Sequence, residues 1–273
     1  MQTKLTSIVF ALLIAGCIPA ISTAQEADDP AKAAQNPLAN VISMPLQNNA
    51  SFGYGDFNKT ANTLNIQPIL PGNLGHTDWV IINRFIIPLP KTFPDLSTED
   101  GTSTTGLGDI NYTLWLAPPP FGKLTFGFGA VTIWPTASDP VLGSEKFSIG
   151  PSLILVYFEE KYLLAGIISQ WWSTGGNPNA DYISNFYFQY IFTWFLKKKW
   201  YLTTAPINLA DWTAEQGQKW WIPVGGGGGK MFNIGKLPMD LSTQLFYYAA
   251  RPDGGPDWEW RVTLKFIFPK GKK

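Results

Sequence analysis

Along most of this chain the side chains alternate in character with a period of two residues, and the apolar member of each alternation is large. The last segment is the clearest instance. Trp258, Trp260, Val262, Leu264, Phe266 and Phe268 fall on one face, and Glu259, Arg261, Thr263 and Lys265 fall on the other. Successive side chains of an extended strand point to opposite faces, so the pattern describes a sheet that is apolar on one side and charged on the other. The split recurs in Leu124, Phe126, Phe128 and Ala130 against Thr125, Gly127 and Gly129, and in Phe186, Phe188, Tyr190, Phe192 and Trp194 against Asn185, Gln189 and Thr193. It returns in Met239, Leu241, Leu245 and Tyr247 against Asp240, Ser242 and Gln244. Beyond residue 43 the helical period of 3.6 is absent, and Gly, Pro, Asn and Asp interrupt the alternation at regular intervals.

A water-soluble sandwich or barrel also alternates, with its apolar face turned to a core. The size of the apolar face decides between the two. Aromatic residues make up 15% of the chain, and charged residues make up only 15%, well below the roughly 25% of soluble domains. In hydrocarbon every backbone N–H and C=O must be paired internally, so strands with lipid-grade faces must close into a barrel without an edge. Strands are expected at 44–54, 61–70, 78–89, 107–116, 123–134, 147–158, 162–172, 182–196, 200–209, 218–228, 237–249 and 258–268. Each is near the ~9–11 residues that a tilted strand needs to cross a bilayer. The expected fold is all-β, an antiparallel up-and-down transmembrane β-barrel of twelve strands, an even number as bacterial barrels require. Short connections at 71–77, 117–122, 159–161, 197–199 and 229–236 alternate with longer ones at 90–106, 135–146, 173–181, 210–217 and 250–257, which places both termini in the periplasm. Trp79, Trp115, Trp134, Trp171, Trp172, Trp200, Trp220, Trp221 and Trp258 stand near strand ends, where interfacial girdles belong.

The N-terminus has the layout of an export signal. Lys4 precedes the apolar run 7–16 (SIVFALLIAG), and small residues follow. The run is too short to span a bilayer as a helix. Ser22, Thr23 and Ala24 put small residues where a signal peptidase reads them, so cleavage before Gln25 is expected. The alternative is lipoprotein processing, because Ile14, Ala15, Gly16 and Cys17 resemble a lipobox with Cys17 as the acylated residue. Residues 1–24 are therefore read as signal peptide, 25–43 as an extension or a plug lying in the barrel, and 44–273 as the barrel. In 25–43, Asp29 and Pro30 before an Ala-rich stretch resemble a helix start.

Composition and motifs narrow the function classes. Lys and Arg number 20 against 20 Asp and Glu, with no long basic stripe, so no nucleic-acid partner is expected. One Cys and one His leave no disulfide framework and no cysteine zinc site. The glycine run 225–229 followed by Lys230 lacks the leading Gly and the trailing Ser or Thr of a phosphate loop, having Val224 and Met231 there. It reads instead as a glycine-rich strand end. His76 sits in a turn-like stretch without a nucleophile or an orienting group indicated nearby. No catalytic residue, metal ligand or cofactor is thus expected, and the chain is expected not to be an enzyme. The candidate functional residues are the polar inward set: Asn65, Gln67, Arg84, Asp109, Asn111, Asn185, Gln189, Asp240, Gln244, Glu259, Arg261 and Lys265. With three basic and three acidic members, a pore lined by them has no strong charge preference, since selectivity comes from rings of one sign.

Several stretches resemble a bacterial outer-membrane barrel family named for the phenol meta-pathway, some members of which carry the misnomer neuromedin U. They are residues 35–40 (QNPLAN) with 47–50 (QNNA), 65–70 (NIQPIL), 83–88 (NRFIIP) and 106–109 (GLGD), then 221–225 (WIPVG) with Gly229 and Lys230, and 266–269 (FIFP). The resemblance implies an outer-membrane barrel associated with uptake of small compounds, aromatic ones among them, and it carries no catalytic residues. The tail 269–273 departs from the general barrel habit of ending on an aromatic residue. The expected location is the bacterial outer membrane, and the expected partners are the lipid bilayer, the barrel-assembly machinery and a small solute. Mass spectrometry of the exported protein should find a chain that begins at Gln25; a diacylglyceryl Cys17 would reverse that expectation.

Overall fold

A computed structural model describes residues 35–268 of the chain. The signal segment, residues 25–34 and the tail after Phe268 lie outside the described residues. Fifteen strands follow one another: β1 (Ile42–Tyr54), β2 (Lys59–Ile66), β3 (Ile69–Asn73), β4 (Val80–Pro94), β5 (Ser103–Gly106), β6 (Ile110–Ala117), β7 (Leu124–Trp134), β8 (Lys146–Phe158), β9 (Tyr162–Gly176), β10 (Ser184–Phe195), β11 (Trp200–Thr204), β12 (Ile207–Asp211), β13 (Trp220–Ile234), β14 (Leu237–Ala250) and β15 (Trp258–Phe268). β2 with β3, β5 with β6 and β11 with β12 are three crossings, each interrupted once. The result is an all-β antiparallel closed barrel of twelve crossings. The ring closes between β1 and β15, in register from Ile42 opposite Phe268 to Phe52 opposite Trp258.

Two of the interruptions fall at prolines. Pro68 and Pro206 have no N–H to give a ladder, and the strand is re-entered on the far side of each. At the first break Phe85 N–H donates to the Pro68 carbonyl at 3.0 Å and Gln67 N–H to the Pro45 carbonyl at 2.9 Å, so pairing continues through the irregularity. The third break, at residues 107–109, is held by Gly108 N–H donating to the Pro88 carbonyl at 2.9 Å.

Residues directly opposite in an antiparallel ladder share a face, so the register separates inside from outside. The stretch 78–89 is apolar on both faces, so its alternation alone does not distinguish Arg84 from Asn83 as the inward residue. Arg84 points inward, opposite Ile69, while Asn83 lies outward, donating to the Leu70 carbonyl and accepting from the Tyr112 hydroxyl at 2.8 Å. The outer surface exposes Phe128, Leu153, Leu155, Leu164, Ile168, Phe192, Leu202, Leu241, Leu245 and Trp260. At the short-turn end Lys123 pairs with Glu159 at 2.6 Å. That ammonium, with the Tyr157 hydroxyl, holds the Glu159 carboxyl below the usual carboxylate range.

Several boundaries differ from the pattern-based expectation. The stretch 90–106 is not all loop: β4 runs to Pro94 and pairs with β5, where Thr92 and Thr105 bond hydroxyl to hydroxyl at 2.9 Å. The glycine run 225–229 is not a strand end but the middle of β13, whose turn comes only at residues 235–236. Without side chains it shows no alternation of its own, yet its neighbours use the space. A Cβ on Gly229 would lie 2.3 Å from the Tyr201 hydroxyl. Trp115 and Trp171 are not girdle residues, since both point inward and are buried, at 1% and 9% exposure.

A charge on the outer face is costly in a depth-dependent way. Leu153→Arg, in the middle of β8, is expected to destabilise the barrel in lipid vesicles by about 2–4 kcal/mol, read from equilibrium denaturation.

Candidate functional site

The interior of the barrel has two zones. Next to the short turns it is apolar: Ile82, Trp115, Ala117, Ile154, Val156, Leu163, Ala165 and Ile167 converge from β4, β6, β8 and β9. Into this cluster reaches Leu38, which belongs to no strand and is 5% exposed. A turn sets Leu38 in place, with its N–H donating to Asn36 Oδ1 at 2.9 Å and the Ala39 N–H to the Asn36 carbonyl at 3.0 Å. Gly127 makes room, since a Cβ there would sit 3.3 Å from Leu38 Cδ2. The indole N–H of Trp115 is satisfied by Ser152 Oγ at 2.9 Å, itself bonded to Ser169 Oγ at 2.8 Å. Val41 packs with Tyr201, Met231 and Ile267 on the opposite wall. Residues 35–41 therefore run inside the ring, between its two walls.

The polar zone begins beside this segment. Asp240 is buried, and both its oxygens accept from the Tyr201 hydroxyl at 2.8 Å. Lys265 stands opposite Asp240 in register. Further along, Arg261 binds Glu259 through Nε at 3.1 Å and Nη2 at 2.7 Å, lies 4.7 Å over the Phe246 ring and gives Nη1 to the Ala205 carbonyl at 2.7 Å. Gln189 Nε2 donates to the same carbonyl at 3.2 Å, and its Oε1 accepts from the Tyr187 hydroxyl at 2.7 Å. Tyr248 donates to the other Glu259 oxygen at 3.2 Å. Ala205 precedes Pro206, at the break between β11 and β12, so the interruption supplies the acceptor that this network shares.

The sequence-derived set distributes as follows. Gln67, Arg84, Gln189, Asp240, Gln244 and Lys265 line one cavity of about 160 Å³, together with Gln35, Pro37, Ala39 and Val41 of the inner segment. Arg84 Nη2 donates to Gln67 Oε1 at 3.1 Å. Glu259 and Arg261 form their pair among themselves. Asn65 stands opposite Gln47 and Pro88, Asn111 accepts from Thr113 Oγ1 at 3.1 Å, and Asn185 stands opposite Trp171; none of the three lines the cavity. Asp109 is a loop anchor: it accepts from Ser144 N–H and Oγ at 2.7 Å each and from Ala137 N–H at 3.2 Å. This fastens the segment 135–145, whose Leu142 is fully buried and whose Leu142 carbonyl accepts from Lys91 Nζ at 2.9 Å. Tyr201, Tyr187 and Ser242 stand outside that set; Tyr187 shares the parity of Asn185 and Gln189, and Ser242 that of Asp240 and Gln244, whereas the pattern identifies no inward neighbour for Tyr201. His76 is exposed in the turn between β3 and β4. Among the described residues no group of three His, Cys, Asp or Glu gathers to hold a metal.

A closed twelve-crossing barrel with a lipid-grade exterior and a polar, partly filled interior has the architecture of outer-membrane β-barrels. No family model matches the chain, and no curated protein does. Solved structures are similar. The COG4313 outer membrane channel from Pseudomonas putida F1 shares 13% identity over 84% of this chain and 96% of its own, with a TM-score of 0.62. The NanC porin shares 9% over 82% and 98%, with a TM-score of 0.51. At such identities the likeness is one of fold, and the resemblance to the phenol meta-pathway family rests on the sequence stretches alone. One expectation is corrected. Outer membrane phospholipase A from Escherichia coli is also among the similar structures, at 15% identity, 89% and 99% coverage and a TM-score of 0.45. The expectation that the chain is not an enzyme, drawn from composition, therefore does not stand. At that score the likeness assigns no activity to this chain.

The Glu259–Arg261 pair is buried, at 8% and 3% exposure, so removing one partner strands the other charge. Arg261→Met is expected to destabilise the barrel by about 3–5 kcal/mol, and the double change Glu259→Leu with Arg261→Met by much less, as read by urea titration in detergent.

Proposed function

We propose that this protein is an outer-membrane channel for small neutral or aromatic solutes, held closed by its own residues 35–41. The observation that supports this reading is the occupant of the lumen. A segment outside the ladder fills the apolar end of a barrel whose remaining inner face is polar and retains a cavity of about 160 Å³. A barrel built only as a scaffold has no need of a polar interior beside a removable element, whereas a closed conduit has both. On this reading Asn65, Gln67, Arg84, Asn111, Asn185, Gln189, Asp240, Gln244, Glu259, Arg261 and Lys265 line the path, and Asp109 holds the loop at its mouth. The bilayer, the barrel-assembly machinery and the solute are its partners, and the outer membrane, reached through an export signal, is its location.

The second reading is a non-conducting structural or surface-interaction barrel. Leu38, buried among eight apolar wall residues, favours it, because such a contact is expensive to break.

Planar-bilayer recording separates the two. A chain lacking residues 25–41 should show stepwise openings of larger amplitude and higher frequency than the unmodified mature chain. Silence from both, with folding shown by heat-modifiable gel mobility, would sink the channel and leave the structural barrel.

A further inference from the structure

The six charged residues of the inward set balance on paper, but the structure does not pair them evenly. Glu259 is bound to Arg261. Asp240 faces Lys265 in register and takes both hydrogen bonds of Tyr201. Asp109 is spent on the backbone and hydroxyl of the loop that it fastens. Arg84 is left over. Among the described residues its guanidinium bonds Gln67 and faces the Tyr187 hydroxyl, and no carboxylate pairs with it. A guanidinium has five N–H donors in a planar fork, so donors remain. Arg84 lines the lumenal cavity, where the other charged residues among the described ones are Asp240 and Lys265, so the described lining carries one excess positive charge.

Three further features define what that charge can hold. The cavity measures about 160 Å³, close to the ~150 Å³ of a cavity that accommodates one benzene ring. Its lining is mixed, with apolar members available beside the polar ones: Ile69 stands directly opposite Arg84, and Ile167, Ile191 and Trp115 line the same cavity. Gln244, at 7% exposure, also lines it, and its Oε1 has no hydrogen-bond partner among the described residues. A buried acceptor left open in a cavity calls for a donor, which a carboxylate lacks, so an ordered water bridging Gln244 to the occupant is what completes it.

We infer that the lumen contains a binding subsite for a small monocarboxylate with an apolar body, the carboxylate held by Arg84 and the body by Ile69, Ile167 and Ile191. Arg rather than Lys suits this role, because its fork matches a carboxylate in two parallel hydrogen bonds. The inference rests on the channel reading and sharpens it, replacing a path without charge preference by one with an anion-selective station.

Isothermal titration calorimetry of the folded full chain in detergent tests it with three isosteric probes: benzoate, benzyl alcohol and benzylamine. Benzoate should bind saturably, and the other two about tenfold or more weakly, as expected for losing a charge-assisted bidentate contact. Arg84→Gln should abolish the preference for benzoate. Arg84→Lys, which keeps the charge and loses the fork, should retain the preference with reduced affinity. Lys230→Gln, on the outer face over Trp200, should change nothing. Equal binding of benzoate and benzyl alcohol, or native affinity in a folded Arg84→Gln, would overturn the inference. If Arg84→Gln fails to show heat-modifiable mobility, Arg84→Lys and the probe series decide. Binding needs no conduction, so a silent bilayer with intact benzoate binding removes the channel reading alone, while conduction without benzoate preference removes this subsite alone.

Discussion

The hydrogen bonding of the backbone is the constraint from which the rest of this structure follows. In hydrocarbon an unpaired N–H or C=O costs several kcal/mol, so β15 must return to β1, and every irregularity in the wall must be repaired from within. The repairs shape the interior. Pro206 breaks the β11–β12 crossing, and the Ala205 carbonyl beside the break is bonded by Arg261 and Gln189. That shared acceptor ties β15 and β10 together across the lumen and fixes the guanidinium that pairs with Glu259. At residues 107–109 the repair involves the loop: Thr136 Oγ1 donates to the Gly108 carbonyl at 3.0 Å, and Asp109 takes the N–H groups of Ala137 and Ser144. A polar lumen and a fastened mouth are in this sense consequences of closing the ladder with prolines and glycines in it.

The two zones of the lumen obey different physics. The apolar end around Leu38 excludes water and is held by burial, worth about 1.5–3 kcal/mol for a fully buried leucine side chain. The polar zone is held by directional bonds, in which tyrosine hydroxyls are the recurrent donors, Tyr201 to Asp240, Tyr187 to Gln189 and Tyr248 to Glu259. A tyrosine suits such a place because its ring fills space while its tip pairs with a buried acceptor. Residues 35–41 touch both zones, with Leu38 in the first and Gln35 beside Tyr201 and Asp240 at the cavity.

Much of the fold was legible because the alternation has an exact period of two, and a slip of one residue would turn an aromatic face into the lumen. β10, β14 and β15 are read correctly along their whole length for that reason. What was not legible lacked this signal. The glycines of β13 have no side chain to alternate, so their strand was cut short. Pro90 and Pro94 resemble a loop, yet β4 continues through Pro90 to end at Pro94, because β5 supplies partners from Lys91 onward. Trp115 and Trp171 were assigned to the girdle by residue type, whereas parity, with Thr113 and Ser169 as neighbours, places them inside. For the site, parity identified which polar residues face inward but not which of them meet. The pairing of Glu259 with Arg261, the diversion of Asp109 to a loop and the isolation of Arg84 depend on distances across the barrel, which a local pattern does not encode.

The same constraint decides what can move. Every strand of the wall shares its hydrogen bonds with two neighbours, so widening the barrel would expose a whole row of backbone groups to lipid. Residues 35–41 share no ladder, and within them the bonds made by Leu38 and Ala39 are local to Asn36. Withdrawing this segment uncovers Leu38 and Val41 and breaks the side-chain contacts of Gln35 and Asn40, but no row of ladder bonds, and so costs less than separating two strands. Any opening of the lumen is therefore expected to begin with this segment leaving its place, while the ring around it keeps its shape.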